Sequence, residues 1–373
     1  MRRKSLNTIL SDWEGPWVIA DHAYEVVRRG IPDGDKLFAR ISEYDDYLAY
    51  VRRKEGYEPG DTLSLIAPFL IAYNLNDEFL VSVSKDNANF MAGSFEAIRL
   101  LSQFDYSLRI ISTSYCQYVR YTTALVGILP RHVKCTLFSL DEYSGNVKKE
   151  DKTLVKKKVD EIIRLPNLGI SAFCREDELS SKAIEAVEDL NVFFWKELPE
   201  TSFREVVESV KPLGGHRKLN ALKEFLKVED ADMCEAMTIG DSITDWVMLK
   251  ETKEAGGFAV SFNGNDYAVK NSNVAIISYD CMITPIIADL FNRNGLSGVE
   301  KITRQWSPRE LKVAAKNNLV DPALYEAFLN QINKTENDFP CVIWITKDNL
   351  AETIEKSKKA RKLVRGTAVG SLG

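Results

Sequence analysis

AMTIGDSITDWVMLK, residues 236–250, is the stretch whose reading decides the fold class. Residues 236–239 are apolar and read as a short strand, Gly240 breaks it, and a turn carrying Asp241 and Asp245 opens a helix. In a parallel sheet the crevice beyond the C-terminal end of a strand is where ligands and metals collect. Two carboxylates placed there make a hard oxygen site suited to Mg²⁺. The same letters also suit an N-cap followed by an acidic first turn.

Working outward, further short apolar runs stand at 6–11 (LNTILS), 107–112 (SLRIIS), 133–138 (VKCTLF), 257–262 (GFAVSF) and 274–277 (VAII). They alternate with helical patterns, which predicts a parallel, Rossmann-like α/β sheet. Two long segments interrupt the alternation. Residues 21–80 carry apolar residues at three- and four-residue spacing and offer no convincing strand. Residues 146–211 begin with a lysine-rich run, KKEDKTLVKKK, and are mainly helical, with NVFFW at 191–195 read as a strand-like exception. The expected organisation is an α/β core of residues 1–20, 81–145 and 212–280, a helical insert at 21–80, a second, mainly helical insert at 146–211, and a mainly helical C-terminal extension at 281–373. The extension contains one strand-like run at 342–346. Its tail beyond Lys356 is basic, then rich in small residues, and is expected to be disordered.

A chain of 373 residues is long enough to bury a substantial core. Its net charge of −5 argues against nucleic acid as a partner. Six cysteines are scattered without CxxC pairs, and with three histidines there is no zinc-ligand spacing. Reduced thiols in a cytoplasmic protein are the expectation. The basic start at 1–4 is followed by an apolar run that stops at Asp12, too short for a signal peptide. No window approaches the ~20 apolar residues of a membrane span, so no membrane partner is expected.

Asp12 with Glu14, then Ser112, then Lys218, then Asp241 with Asp245 fall in an order that resembles the haloacid dehalogenase-like superfamily, whose members are mostly Mg²⁺-dependent phosphohydrolases. GDSITD at 240–245 is similar to that family's fourth motif, KLNAL at 218–222 to its third and IIST at 110–113 to its second. FAVSFNGN at 258–265 resembles the segment that follows the fourth motif in phosphoserine phosphatase-like members. The resemblance covers about 6–277. It implies that Asp12 is a nucleophile forming an aspartyl-phosphate and that Mg²⁺ is held by Asp12, Asp241 and the backbone carbonyl of Glu14, with Asp245 supporting it through waters. It further implies that Lys218 neutralises charge, that Ser112 donates to a phosphoryl oxygen, and that the Glu14 side chain handles the proton. The chemistry favours such a gathering, because a carboxylate nucleophile and a phosphate repel each other until cations intervene.

The common first motif of that superfamily is Asp-x-Asp-Gly-Thr, whereas this chain reads Asp12-Trp13-Glu14-Gly15-Pro16. The enolase-phosphatase branch also has Glu there. The Asp-x-Glu-Gly-Pro opening is similar to an archaeal branch named after subunit R of an energy-converting hydrogenase. The resemblance implies a cap over the site. The all-helical 21–80 insert is the favoured candidate, with Gly30-Ile-Pro32 and Gly93 as hinges, and a small phosphorylated metabolite is the expected substrate. Two alternatives stand beside a phosphatase: a non-catalytic binding or regulatory subunit, whose C-terminal region would dock a protein partner or a second copy, and a phosphotransferase or mutase.

Overall fold

The computed structural model of the protein describes residues 7–170, 174–335 and 338–372. Seven strands form one sheet: β1 (Thr8–Ser11), β2 (Ser107–Tyr115), β3 (Val133–Thr136), β4 (Ala236–Gly240), β5 (Phe258–Phe262), β6 (Val274–Ile277) and β7 (Cys341–Trp344). Their order is β3-β2-β1-β4-β5-β6-β7. All pairings are parallel except β6 with β7. This is a Rossmann-like, doubly wound sheet whose strand order reverses between β1 and β4. Every run read as a strand outside 191–195 is in it. Leu6, at the start of the expected first strand, and the basic residues 1–4 lie outside the described residues.

β1, β4 and β5 are buried along their whole length, as strands covered on both faces must be, and so they read as short, mainly apolar runs with no charged residue. Successive side chains alternate between faces. Ile9, Ile110, Met237, Ile239, Phe258 and Val260 join the largest apolar cluster, while Leu10, Ile111 and Ala236 join a separate one.

Between β1 and β2 the chain leaves the sheet for α1 (His22–Gly30), α2 (Gly34–Asp46), α3 (Thr62–Ala72) and α4 (Asp77–Asp86), and returns through α5 (Ser94–Gln103). α6 (Cys116–Leu125) joins β2 to β3. A second excursion follows as α7 (Leu140–Ser144), α8 (Lys149–Ile162), α9 (Ser181–Val192) and α10 (Arg204–Ser209), and α11 (Gly215–Glu229) leads back to β4. The two excursions share a single apolar cluster. Ala23, Val27 and Phe69 from the first meet Val155, Phe194 and Val206 from the second. The segment at 191–195 is part of this cluster and is not a strand: α9 ends at Val192 and a π-helical turn, Phe193–Glu197, continues it. A short unbroken apolar run does not distinguish a buried strand from a buried helix, and the Phe193 and Phe194 rings pack on Phe69 of α3.

The turn at 30–32, read as a hinge, joins α1 to α2 within the helical unit. The chain enters and leaves the first excursion as two paired stretches: Ile19 N–H donates to the Asn89 carbonyl and Met91 N–H to the Trp17 carbonyl, both at 2.9 Å.

α12 (Trp246–Glu254) and α13 (Asp266–Lys270) complete the crossovers to β6, followed by α14 (Ile283–Thr303), α15 (Pro308–Lys316), α16 (Pro322–Thr335), β7 and α17 (Leu350–Gly370). Residues of α14 and α16 are buried in the cluster that contains the sheet residues. The tail expected to be disordered is helical. α17 bends at Gly366 (φ 78°), and beyond the bend Val369 and Leu372 pack into the cluster shared by the two excursions. The cysteines also differ from expectation. Cys116 and Cys135 form a disulfide, because β3 lies beside the end of β2 and brings their Cα atoms to 5.2 Å, whereas Cys174, Cys234, Cys281 and Cys341 are free thiols. Among the described residues no helix is long and apolar enough to cross a membrane.

Candidate active site

Asp12 directly follows β1, and its backbone N–H donates to the Ile239 carbonyl of β4 at 2.9 Å. That bond places Asp12 and the Gly240-Asp241 turn side by side where the strand order reverses. Carboxylate oxygens of Asp12, Asp241 and Asp245 all lie within 4.8 Å of one another, and the three residues are buried. Lys218 comes from α11, is fully buried, and reaches Asp12 Oδ2 at 2.8 Å and Asp245 Oδ1 at 2.6 Å. The other oxygen of Asp245 accepts the backbone N–H groups of Asp241 (2.9 Å) and Ser242 (3.1 Å). Asp245 therefore fixes the turn and pairs with Lys218 at once. Gly15 is required for the close approach. Its φ is +96°, and a Cβ there would stand 2.1 Å from Asp241 Oδ2.

Burial pushes the Asp12 carboxyl up to about 7; Lys218 opposes the rise, and Asp245 and Asp241 add to it. Glu14 lies far above the usual carboxylate range, first because of burial and then because of Asp21. Its Oε1 accepts the His22 backbone N–H at 2.9 Å, which joins the acid to the first turn of α1. Burial works against the Lys218 ammonium, but Asp12 and Asp245 outweigh it and hold it firmly charged. Ser112 is buried within β2, three residues before its end, and its Oγ accepts the Ser114 N–H at 3.3 Å. Arg217 and Lys223 are the other cations near Lys218 in sequence. Arg217 pairs instead with Asp61, which precedes α3.

Asp12, Glu14, Ser112 and Asp241 line one cavity of about 100 Å³, several times what one water needs. Asp45 and Asp46 of α2 close it from the helical side. The third wall comes from a region the sequence reading left out. Arg361 and Arg365 of α17 are buried and both donate to Asp241 Oδ2, Arg365 at 2.9 Å. They stand four residues apart on one face of a helix in a run, KKARKLVR, that reads as a solvated basic surface. The available signal was the repeat Thr353, Ser357, Arg361 at four-residue spacing, a buried stripe of short and cationic residues.

The donor set fits a divalent cation: three buried carboxylates with no nitrogen or sulfur ligand among them, a hard-oxygen set of the kind Mg²⁺ takes. Both arginine bonds go to Oδ2 of Asp241 and leave Oδ1 to the cluster.

The structure of gene product AF1437 from Archaeoglobus fulgidus is similar to this chain over 99% of both, at 28% identity and a TM-score of 0.77. The likeness therefore runs through both excursions and the C-terminal segment. Phosphoserine phosphatase in its apo form aligns with 74% of this chain and 94% of its own at 13% identity and a TM-score of 0.41. The phospho-aspartyl intermediate analogue of phosphoserine phosphatase aligns with 73% and 93%, at 13% identity and a TM-score of 0.42. Neither a protein-family model nor a curated protein matches the chain.

Proposed function

We propose that the protein is a Mg²⁺-dependent phosphatase of a small phosphorylated metabolite, acting through an aspartyl-phosphate at Asp12. The observation that supports it most is the convergence of Asp12, Asp241 and Asp245, joined by Lys218, at the switch point of the sheet. The motif order read in the sequence agrees with it. Asp12, Asp241 and the Glu14 backbone would hold the cation, which when bound offsets the charge of carboxylate and phosphate. Asp12 Oδ attacks phosphorus and the ester oxygen leaves, taking the proton that burial keeps on Glu14. Glu14 then accepts a proton from water, whose oxygen attacks the same phosphorus and frees orthophosphate and Asp12. Ser112 would donate to a phosphoryl oxygen. Lys218 keeps Asp12 and Asp245 paired. The two helical excursions, having one core, would move as one cap that excludes water.

The test is phosphate release from a panel of phosphomonoesters and p-nitrophenyl phosphate, with Mg²⁺ and with EDTA, by wild type and Asp12→Asn. Release that needs both the metal and Asp12 is expected; equal metal-dependent turnover by Asp12→Asn would refute the reading. One observation favours a second reading, a binding or regulatory subunit: two arginines already stand on Asp241. That reading predicts a folded chain with no turnover on any ester.

A further inference from the structure

Lys218 is the cation the sequence offers for the phosphoryl group, yet it is fully buried between two carboxylates and lies behind them, off the cavity wall. The cations on the wall are Arg361 and Arg365. Their hydrogen bonding differs. Arg365 uses all three nitrogens: Nε donates to the Ile19 carbonyl (3.1 Å), Nη2 to the Ala20 carbonyl (3.1 Å) and Nη1 to Asp241 Oδ2 (2.9 Å). Among the described residues Arg361 bonds through Nη1, to Asp241 Oδ2 and to the Asp241 backbone carbonyl at 3.1 Å. Its Nε–H is buried with no partner among the described residues, in a side chain only 3% exposed. Buried polar groups are normally satisfied, and a donor left over calls for a reason, a catalytic role or a bound ion among them. The guanidinium stands one carboxylate away from Asp12, because it holds Asp241 and Asp241 lies within 4.8 Å of Asp12. A planar fork with free N–H groups suits the oxygens of a phosphate.

We propose that Arg361, delivered by the C-terminal helix, is the residue that binds the phosphoryl oxygens of the substrate, with Arg365 as the positioning residue that locks the helix to the chain entering the cap. This rests on the phosphatase reading and adds to it a phosphate receptor outside the motifs that the sequence offers. The C-terminal segment thereby becomes part of the active site, and a chain lacking it would be an incomplete enzyme.

The experiment is calorimetric binding of orthophosphate and of beryllium trifluoride, each with and without saturating Mg²⁺, to wild type, Arg361→Met and Arg361→Lys. Binding of Mg²⁺ alone is measured in parallel, and circular dichroism confirms folding. Losing a charge-assisted bond predicts phosphate affinity about 10- to 100-fold weaker in Arg361→Met. Arg361→Lys should recover part of it, and Mg²⁺ affinity should fall by no more than about threefold. If Arg361→Met does not fold, a weakened anion affinity in Arg361→Lys supports the proposal and an unchanged one overturns it. Anion affinity within about twofold of wild type in a folded Arg361→Met overturns it, as does tighter Mg²⁺ binding with unchanged phosphate binding, which would make the pair a guard on Asp241. A wild type that binds neither probe and turns over no ester sinks the phosphatase reading itself, and this inference with it. A wild type that turns over esters while the variants bind phosphate normally sinks this inference alone.

Discussion

Replacing Lys218 by methionine removes one positive charge and keeps most of the length of the buried stem. In the wild type the ammonium lies 2.8 Å from Asp12 and 2.6 Å from Asp245, and all three side chains are almost entirely out of water. Breaking a buried pair by deleting one member costs about 3–5 kcal/mol. Here two carboxylates lose a partner, so the upper end of that range is expected at pH 8. The pH dependence has a definite sign. Asp12 already titrates at about 7, and Lys218 is what holds it from rising further. Its removal moves the folded-state value up, away from the unfolded value of about 3.9. A carboxyl whose folded pKa is raised brings no penalty below its unfolded pKa. The penalty grows as pH climbs toward the folded pKa and is constant above it. The deficit of Lys218→Met relative to wild type is therefore largest at pH 8 and shrinks at pH 5.5. A divalent cation held by Asp12 and Asp241 should restore part of it, by mass action on the folded state. Urea unfolding followed by far-ultraviolet circular dichroism, at both pH values and with and without Mg²⁺, checks each statement. A loss below about 1 kcal/mol at pH 8, or a deficit that grows on acidification, refutes the view that Lys218 is the charge that makes this cluster foldable.

Two further outcomes follow from the walls of the cavity. Asp46 is buried with an Oδ1 that has no partner among the described residues, and burial holds its carboxyl well above the usual range. Asp46→Asn should therefore stabilise the fold at pH 8 by on the order of 1–3 kcal/mol, the gain vanishing as pH falls toward 4; paired urea midpoints read this, and equal gains at both pH values would contradict it. Ending the chain at Arg365 keeps both arginines but takes Val369 and Leu372 out of the apolar cluster shared by the two excursions. Each buried aliphatic side chain is worth about 1.5–3 kcal/mol, so hydrogen exchange at 17–20 and 89–92 should quicken about tenfold or more, and unchanged exchange there would mean that the tail does not hold the excursions to the sheet.

The parts of the molecule that were legible in the sequence are those whose reasons are local. β4 could be read because a strand buried on both faces is a short apolar run, and because Gly240 and the carboxylates beyond it end that run in a way only a strand-to-helix turn uses. Asp12, Asp241 and Asp245 could be gathered because they follow such runs and the parallel sheet puts the strand ends on one edge, whereas Lys218, on α11, was joined to them by the resemblance of the motif order. What stayed hidden is long-range. Nothing in KKARKLVR marks two arginines for burial. Their partner, Asp241, is 120 and 124 residues away, and a helix face of Ser357, Arg361 and Arg365 looks solvated until a carboxylate is placed against it. The merging of the two excursions was hidden for the same reason. A helix buried on every side, as α3 is, states only that something covers it, and Phe193 and Phe194, read as a strand, turn out to be part of the cover. The burial of Asp241 with Arg361 and Arg365 therefore depends on α17. That helix reaches Asp241, the stretch entering the first excursion and the apolar cluster shared by the two excursions within one short span, so the excursions and the carboxylate cluster cannot be repositioned independently of each other while α17 stays in place.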